Sequence, residues 1–521
     1  MNLLKATGTI GGLTLASRVL GLMRDSLFAR VVGAGFASDA FLLAFRLPNM
    51  FRALFAEGAF NSAFVPMFNQ KVADPEGRGL SAGLDFAEAA FSVLLPVLIV
   101  MTVLLEALAW PLTQMLSGGF GNVTHDQFAY AVALSRLTIP YLMLISLVSL
   151  LGGILNSLQK FWVNAAAPIL LNLTLIVALL VFGSHNPLVT ARNQALAVTV
   201  SGALQLAWVG HAAWRNGVSL RPRWPRLTVD VRLLLARIWP AAAGAGAQQI
   251  NLVISTALAA SLLDHGSVTY IYMADRLSQL PLGLIGIALG TVLLPTISRQ
   301  LSAGDEAGAM DTQNRGLELA LLLTLPAAVG LVFCGEPIAA ALFGYGRYGA
   351  MATHFTAQSL ACYSVGVPSY ILVKVLTPGF YARHDTKTPV RFAMISIGAN
   401  LALNLALIVP LRHMGPPLAT ALSSTLNVVM LYTTLVKRGH FAMDARLKRR
   451  WWRLSLAALA MGGLLLAGQD RLMPYTHGLW YVRCGAMAAL VGAGVCVYGV
   501  ATIVLGAFTK ADLALLKRRR A

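Results

Sequence analysis

Residues 17–66 read SRVLGLMRDSLFARVVGAGFASDAFLLAFRLPNMFRALFAEGAFNSAFVP. They form two apolar segments hinged at Gly33-Ala34-Gly35, yet they carry Arg18, Arg24, Asp25, Arg30, Asp39, Arg46, Arg52 and Glu57. A charged side chain at bilayer depth costs several kcal/mol, about 3 for arginine on insertion scales, so such residues normally face a watery cavity and mark a transport path. The stretch therefore predicts a membrane protein with a cationic cavity inside it.

The rest of the chain agrees. Its 521 residues are 57% hydrophobic and 12% charged, with a mean hydropathy of +0.69, outside the range of soluble globular chains. The net charge of +19 would suit nucleic acid, but most Lys and Arg fall in short loops between apolar runs, where membrane topology places them. Nucleic acid is therefore not an expected partner. The opening MNLLKATGTIGGLTLASRVLG is broken by Arg18 and has no small-x-small cleavage site, so it reads as a retained first helix. Cys334, Cys362, Cys484 and Cys496 lie in apolar segments without CxxC spacing and read as packing residues, with no metal or disulfide.

Apolar runs of about 20 residues give the expected fold class: an all-α polytopic membrane protein of about 14 transmembrane helices. In the first half these are 5–32, 37–69, 82–109, 127–155, 162–183 and 190–214; in the second, 233–262, 267–297, 315–343, 354–382, 390–411 and 415–436; then 452–470 and 479–507. Alternate loops hold nearly all the Lys and Arg, including Arg221 to Arg237, Lys437 to Arg453 and the tail Lys510 and Lys517 to Arg520. The opposite loops hold Arg192, Arg347, Arg412, Arg471 and Arg483. This bias sets both termini in the cytoplasm.

The first twelve helices contain a duplication. Arg46-Leu47 with Pro66 returns as Arg276-Leu277 with Pro295; Pro140 with Asn172-Leu173 returns as Pro368 with Asn400-Leu401; LAVTVSGALQ from Leu196 returns as LATALSSTLN from Leu418. The offsets lie between 222 and 230 residues. Because an even number of helices separates the copies, the repeats are parallel, an arrangement that places a substrate at midplane and works by rocking one lobe against the other. The expected domains are an N-terminal lobe over 1–217, an amphipathic cytoplasmic linker over 218–236, a C-terminal lobe over 237–440, and helices 13 and 14 with a basic tail over 441–521.

SRVLGLMRD, ASDAFLLAFRLPNMFRALFAEGAFNSAFVP, GSVTYIYMADRLSQLPLGLIGIALGTVLLP and TPGFYARHDTKTPV resemble the signature stretches of the MurJ (MviN) lipid II flippases, in the multidrug/oligosaccharidyl-lipid/polysaccharide exporter superfamily. The resemblance runs from residue 2 through helix 12. It implies a protein of the bacterial inner membrane that moves lipid II, the undecaprenyl-pyrophosphate-linked disaccharide-pentapeptide, between leaflets for peptidoglycan synthesis. It further implies that Arg18, Arg24, Arg52 and Arg276 line the central cavity, with Asp39 a further functional position, and that helices 13 and 14 wall a groove for the lipid tail.

These residue types suit that substrate. Pyrophosphate is a dense anion, and arginine offers a planar fork of donors that stays charged in apolar surroundings. Each arginine also has a competing reading as a structural ion pair: Arg24 with Asp25, Arg52 with Glu57, Arg276 with Asp275. At about 100° per residue Arg18 and Arg24 differ by about 240°, and share a face only if helix 1 bends near Gly21. Asp39 and Arg46, seven apart, do share one. Lys374, in the middle of helix 10, is a further substrate-binding candidate. Asn251, Asn400, Asn404, Thr420 and Asn427 offer oxygens to a cation, but carboxylates are missing from those spans and no metal or cofactor is assigned. The rivals are an exporter of another lipid-linked oligosaccharide or of drugs, and a membrane glycosyltransferase. A cationic cavity repels cationic drugs, and the short outer loops offer few acids to an enzyme.

Overall fold

A lipid-embedded backbone must satisfy its polar groups internally, and the chain answers with helix throughout. The computed structural model describes residues 3–56, 59–73, 79–121, 123–472 and 480–507, with side chains at most of these positions. Among them there is no strand, and nine helical stretches are long and apolar enough to cross a membrane. Some of these stretches hold two of the expected spans, as Lys387–Lys437 does. Among the described residues each of the fourteen expected spans is mostly helical. The chain divides into two compact units, Met1–Thr269 and Tyr270–Ala521.

The first unit contains α1 (Leu3–Val32), α2 (Phe36–Ala56), α3 (Ala59–Val72), α4 (Leu80–Ala107), α5 (Ala109–Ser117), α6 (His125–Thr138), α7 (Pro140–Ser157), α8 (Phe161–Val181), α9 (Pro187–Arg215) and α10 (Val229–Leu262). The span expected at 127–155 is two helices, because Pro140 has no N–H to donate and starts α7 afresh. α5 fills what reads as a loop, burying Ala109, Thr113, Leu116 and Ser117 at helical spacing. α1 packs on α8, α2 on α6, α7 and α9, and α10 on α3, α5 and α2. Phe64 stacks on Phe60, Phe68 and Phe86 at 5.2, 5.8 and 5.5 Å, tying α3 to α4.

The expected linker begins as an irregular segment. Residues 218–228 have no regular structure, since Pro222 and Pro225 disfavour helix there. They run as a strap on α4: Glu88 Oε1 accepts from Arg221 N at 3.2 Å, Glu88 Oε2 pairs with the Arg223 guanidinium at 2.5 Å, and Ser92 Oγ accepts from Arg223 N at 2.9 Å. α10 then starts four residues earlier than expected, capped by Thr228. The duplication puts this helix in the second half of the sequence, whereas by packing it belongs to the first unit.

α11 (Ser267–Ser302) begins in the first unit and continues into the second, followed by α12 (Glu306–Phe333), α13 (Gly335–Leu342), α14 (Gly349–Val365), α15 (Val367–Tyr381), α16 (Lys387–Leu411), α17 (Gly415–Lys437), α18 (Ala445–Leu472) and α19 (Trp480–Val504). The core of this unit gathers Leu293, Leu317, Leu376, Phe380, Leu435, Leu454, Met461 and Tyr498, so α18 and α19 are integral to it. At its edge the buried Glu318 of α12 pairs with Arg315, Arg446 and Arg450, while Arg315 also reaches Asp444, the residue that caps α18. Removing one partner from such a cluster strands the others. Glu318→Ala is expected to destabilise the unit by about 3 kcal/mol or more, read as a lower thermal midpoint in detergent. Asp311→Ala, at a carboxylate 67% exposed, should cost less than about 0.5.

Candidate functional site

α1 passes Gly21 as one helix, and its two central arginines meet different surroundings: Arg18 is exposed and Arg24 is 8% exposed. Arg24 donates through Nε (3.0 Å) and Nη2 (2.6 Å) to Asp25 Oδ1, and through Nη1 to Asn172 Oδ1 at 3.1 Å. Asn172 of α8 also donates to Ser17 O at 2.9 Å, so it grips α1 on either side of Gly21. Of the two readings open for Arg24, the ion pair with Asp25 is the one seen.

Asp39 and Arg46 do share a face of α2, and that face meets the turn from α10 into α11. Asp39 Oδ2 accepts from Gly266 N at 2.6 Å; its Oδ1 accepts from Thr269 N at 2.9 Å and Thr269 Oγ at 2.6 Å. Arg46 Nη2 donates to Thr256 Oγ at 2.7 Å. Gly266 sits at φ 97°, a left-handed conformation that glycine adopts without strain. The Asp39 carboxylate thus caps the N-terminus of α11, where negative charge is favoured by the helix dipole. At 2% exposure it is committed to this cap. Asp39, expected among the substrate ligands, holds the start of a helix in this conformation.

α11 goes on to carry Arg276. Its guanidinium folds back one turn, donating through Nε (3.0 Å) and Nη2 (2.8 Å) to Tyr272 Oη, with the guanidinium carbon 4.9 Å from the ring centroid. Asp275, the competing partner, accepts from Gln279 Nε2 at 2.6 Å. On α2, Arg52 donates through Nε to Asn49 Oδ1 at 3.1 Å; the alternative partner Glu57 lies outside the described residues. Both arginines are half-buried. Lys374 on α15 is exposed, and its Nζ lies 2.8 Å from where a Cβ on Gly286 would stand, so its path over α11 depends on that glycine. Arg30 is exposed at the end of α1.

Arg52 and Arg276 therefore share a device: a neutral acceptor three or four residues earlier on the same helix takes the Nε edge and fixes the plane of the guanidinium. Asn49 and Tyr272 stand at helical spacing from their arginines, but as neutral residues they carry no charge signal in the sequence. Asn172 was read only as a mark of the repeat. Its counterpart Asn400 donates to Thr420 Oγ at 3.3 Å and Ser423 Oγ at 3.2 Å, and Asn404 Nδ2 donates to Asn400 Oδ1 at 2.9 Å. These amides bond to one another, and the described residues hold no group of three His, Cys, Asp or Glu arranged for a metal.

Residues 28–483 match the family model described as lipid II flippase MurJ. The chain is 39% identical to a probable lipid II flippase MurJ of Rhizobium tropici, covering 99% of this chain and 96% of the relative. It is 36% identical to the lipid II flippase MurJ of Burkholderia cenocepacia over 89% and 90%. Among solved structures it resembles a lipid II flippase MurJ in an inward closed conformation, with a TM-score of 0.77, 23% identity and coverage of 95% and 98%. A multidrug resistance MATE family transporter in an inward-facing conformation gives 0.62 at 13% identity over 81% and 94%.

Proposed function

We infer that this protein, which belongs to the MurJ family of lipid II flippases, moves undecaprenyl-pyrophosphate-linked peptidoglycan precursor from the inner to the outer leaflet of the bacterial cytoplasmic membrane. It does so by alternating access and without covalent chemistry. Arg52 and Arg276 contact the pyrophosphate through guanidinium forks set in place by Asn49 and Tyr272; Arg18 and Lys374 add positive charge along the route, and Arg24, paired with Asp25, braces α1 beside it. The lipid tail stays in apolar surroundings, so only the headgroup needs a polar path. Asp39, by capping α11, holds the outer end shut while the headgroup enters from the cytoplasm.

The observation that carries this reading is the seating of Arg276 on Tyr272. The phenol fixes the plane in which the guanidinium can meet an anion, and charge-assisted pairs with phosphate are the strong ones. A drug exporter of the same fold would be poorly served by it, because cationic drugs are repelled. Purified protein in liposomes containing fluorescent precursor provides the test. Precursor in the inner leaflet is expected to become accessible to an impermeant quencher at a rate set by the protein; a rate equal to that of empty liposomes overturns the assignment.

A further inference from the structure

α18 opens with Arg446, Lys448, Arg449, Arg450 and Arg453 beside Trp451 and Trp452, and the fold sorts these residues by face. Leu447, Arg450, Leu454, Ala457, Met461 and Leu465 turn inward and are buried. Two of the neighbouring cations pair with Glu318, the buried Arg450 and the exposed Arg446, and the half-buried Arg453 donates to Gly506 O at 3.0 Å. Lys448 and Arg449 point the other way, exposed, with no ion pair among the described residues. On the same side follow Trp451 at 54% and Trp452 at 47% exposure, then exposed Leu456 and Leu459. Next comes Gly463, where a Cβ would meet nothing within 4 Å.

The order along this face is cation, indole, aliphatic, open notch. At 1.5 Å rise per residue, Trp452 to Gly463 covers about 16 Å, close to the roughly 15 Å depth of one leaflet's hydrocarbon. Tryptophan favours the headgroup boundary, which puts Lys448 and Arg449 at phosphate level. A zwitterionic headgroup brings its own cation against these two, whereas an anionic one brings none. Topology alone asks for positive charge somewhere in this loop. It does not ask that two cations be spared from a buried network that consumes their neighbours and be set directly above two exposed indoles.

We propose that this outward face of α18 is a binding site for an anionic phospholipid, with its phosphate at Lys448 and Arg449, its glycerol region at Trp451 and Trp452, and one acyl chain along Leu456, Leu459 and Gly463. The site is independent of the flippase reading and is tested by binding alone. Full-length protein is reconstituted in phosphatidylcholine vesicles containing either brominated phosphatidylglycerol or brominated phosphatidylcholine at one mole fraction. Because the chain has nine tryptophans, the signal of interest is the difference between wild type and W451F/W452F. Quenching of that component is expected to show about a tenfold preference for phosphatidylglycerol, weakened in high salt and lost in K448Q/R449Q. Equal quenching by both lipids in the wild type, or a preference that survives in K448Q/R449Q, overturns the site. Should the double variant fail to fold, K448Q and R449Q singly give the same reading, each reducing the preference about threefold.

Discussion

Arg276→Ala is expected to lower precursor transport about a hundredfold while leaving the protein folded and at normal abundance. The guanidinium sits half-buried on Tyr272, a phenol that hydrates readily once its donors are gone. Two charge-assisted hydrogen bonds to phosphate are worth about 3 kcal/mol together, or two decades in affinity or rate. Arg24→Ala should behave differently. Its loss leaves Asp25, 4% exposed, without the cation 2.6 Å away and Asn172 without a donor. Removing one partner of a buried ion pair costs about 3 kcal/mol or more, so reduced abundance is expected alongside reduced transport. Reconstituted transport per folded molecule, with the thermal midpoint of each variant, separates the two. Unchanged transport in Arg276→Ala would remove the arginine from the pyrophosphate path, and a normal midpoint in Arg24→Ala would mean that the Asp25 pair does not support α1. Tyr272→Phe keeps the ring and deletes the acceptor, and should reproduce part of the Arg276 defect.

How far the sequence could foresee this is clearest at α2. Its charge content and helical period were enough to put Asp39 and Arg46 on one buried-facing side, because rotation per residue is a local property. What that side touches is not local. The acceptors and donors it meets, Thr256, Gly266 and Thr269, lie more than two hundred residues further on, and nothing in their residue types marks them as partners. The same limit appears in α18, where a run of basic residues looked uniform. The division into cations paired with an acid and cations left outside the cluster follows from Glu318, a single acid 128 to 132 residues earlier. In the linker Pro222 and Pro225 are visible in the sequence and account for the irregular backbone, but the acid that holds the strap, Glu88, lies 133 residues earlier and nothing marks it as a partner.

Asp39→Ala is expected to open the outer end of the first unit and abolish support of cell-wall growth. The substitution leaves the Gly266 and Thr269 N–H groups without their acceptor in a place where Asp39 itself is 2% exposed. Each stranded donor costs about 1 to 3 kcal/mol, and loss of the helix cap adds about 1. About 3 kcal/mol taken from the packing of the N-terminus of α11 raises the fraction of time it is unpacked roughly a hundredfold. Asp39→Asn is expected to be intermediate, because its amide keeps one acceptor oxygen but presents a donor to a second N–H. The readout distinguishes a latch from a ligand. Ser267, 5% exposed at the start of α11, is replaced by cysteine in a background without the four native thiols, and labelling by an impermeant maleimide from outside is timed. Labelling should accelerate strongly in Asp39→Ala and stay at the parent rate in Arg276→Ala, though both variants fail to transport. If Asp39 served the substrate alone, its removal would silence transport without changing the labelling rate, since the N-terminus of α11 would remain packed and closed.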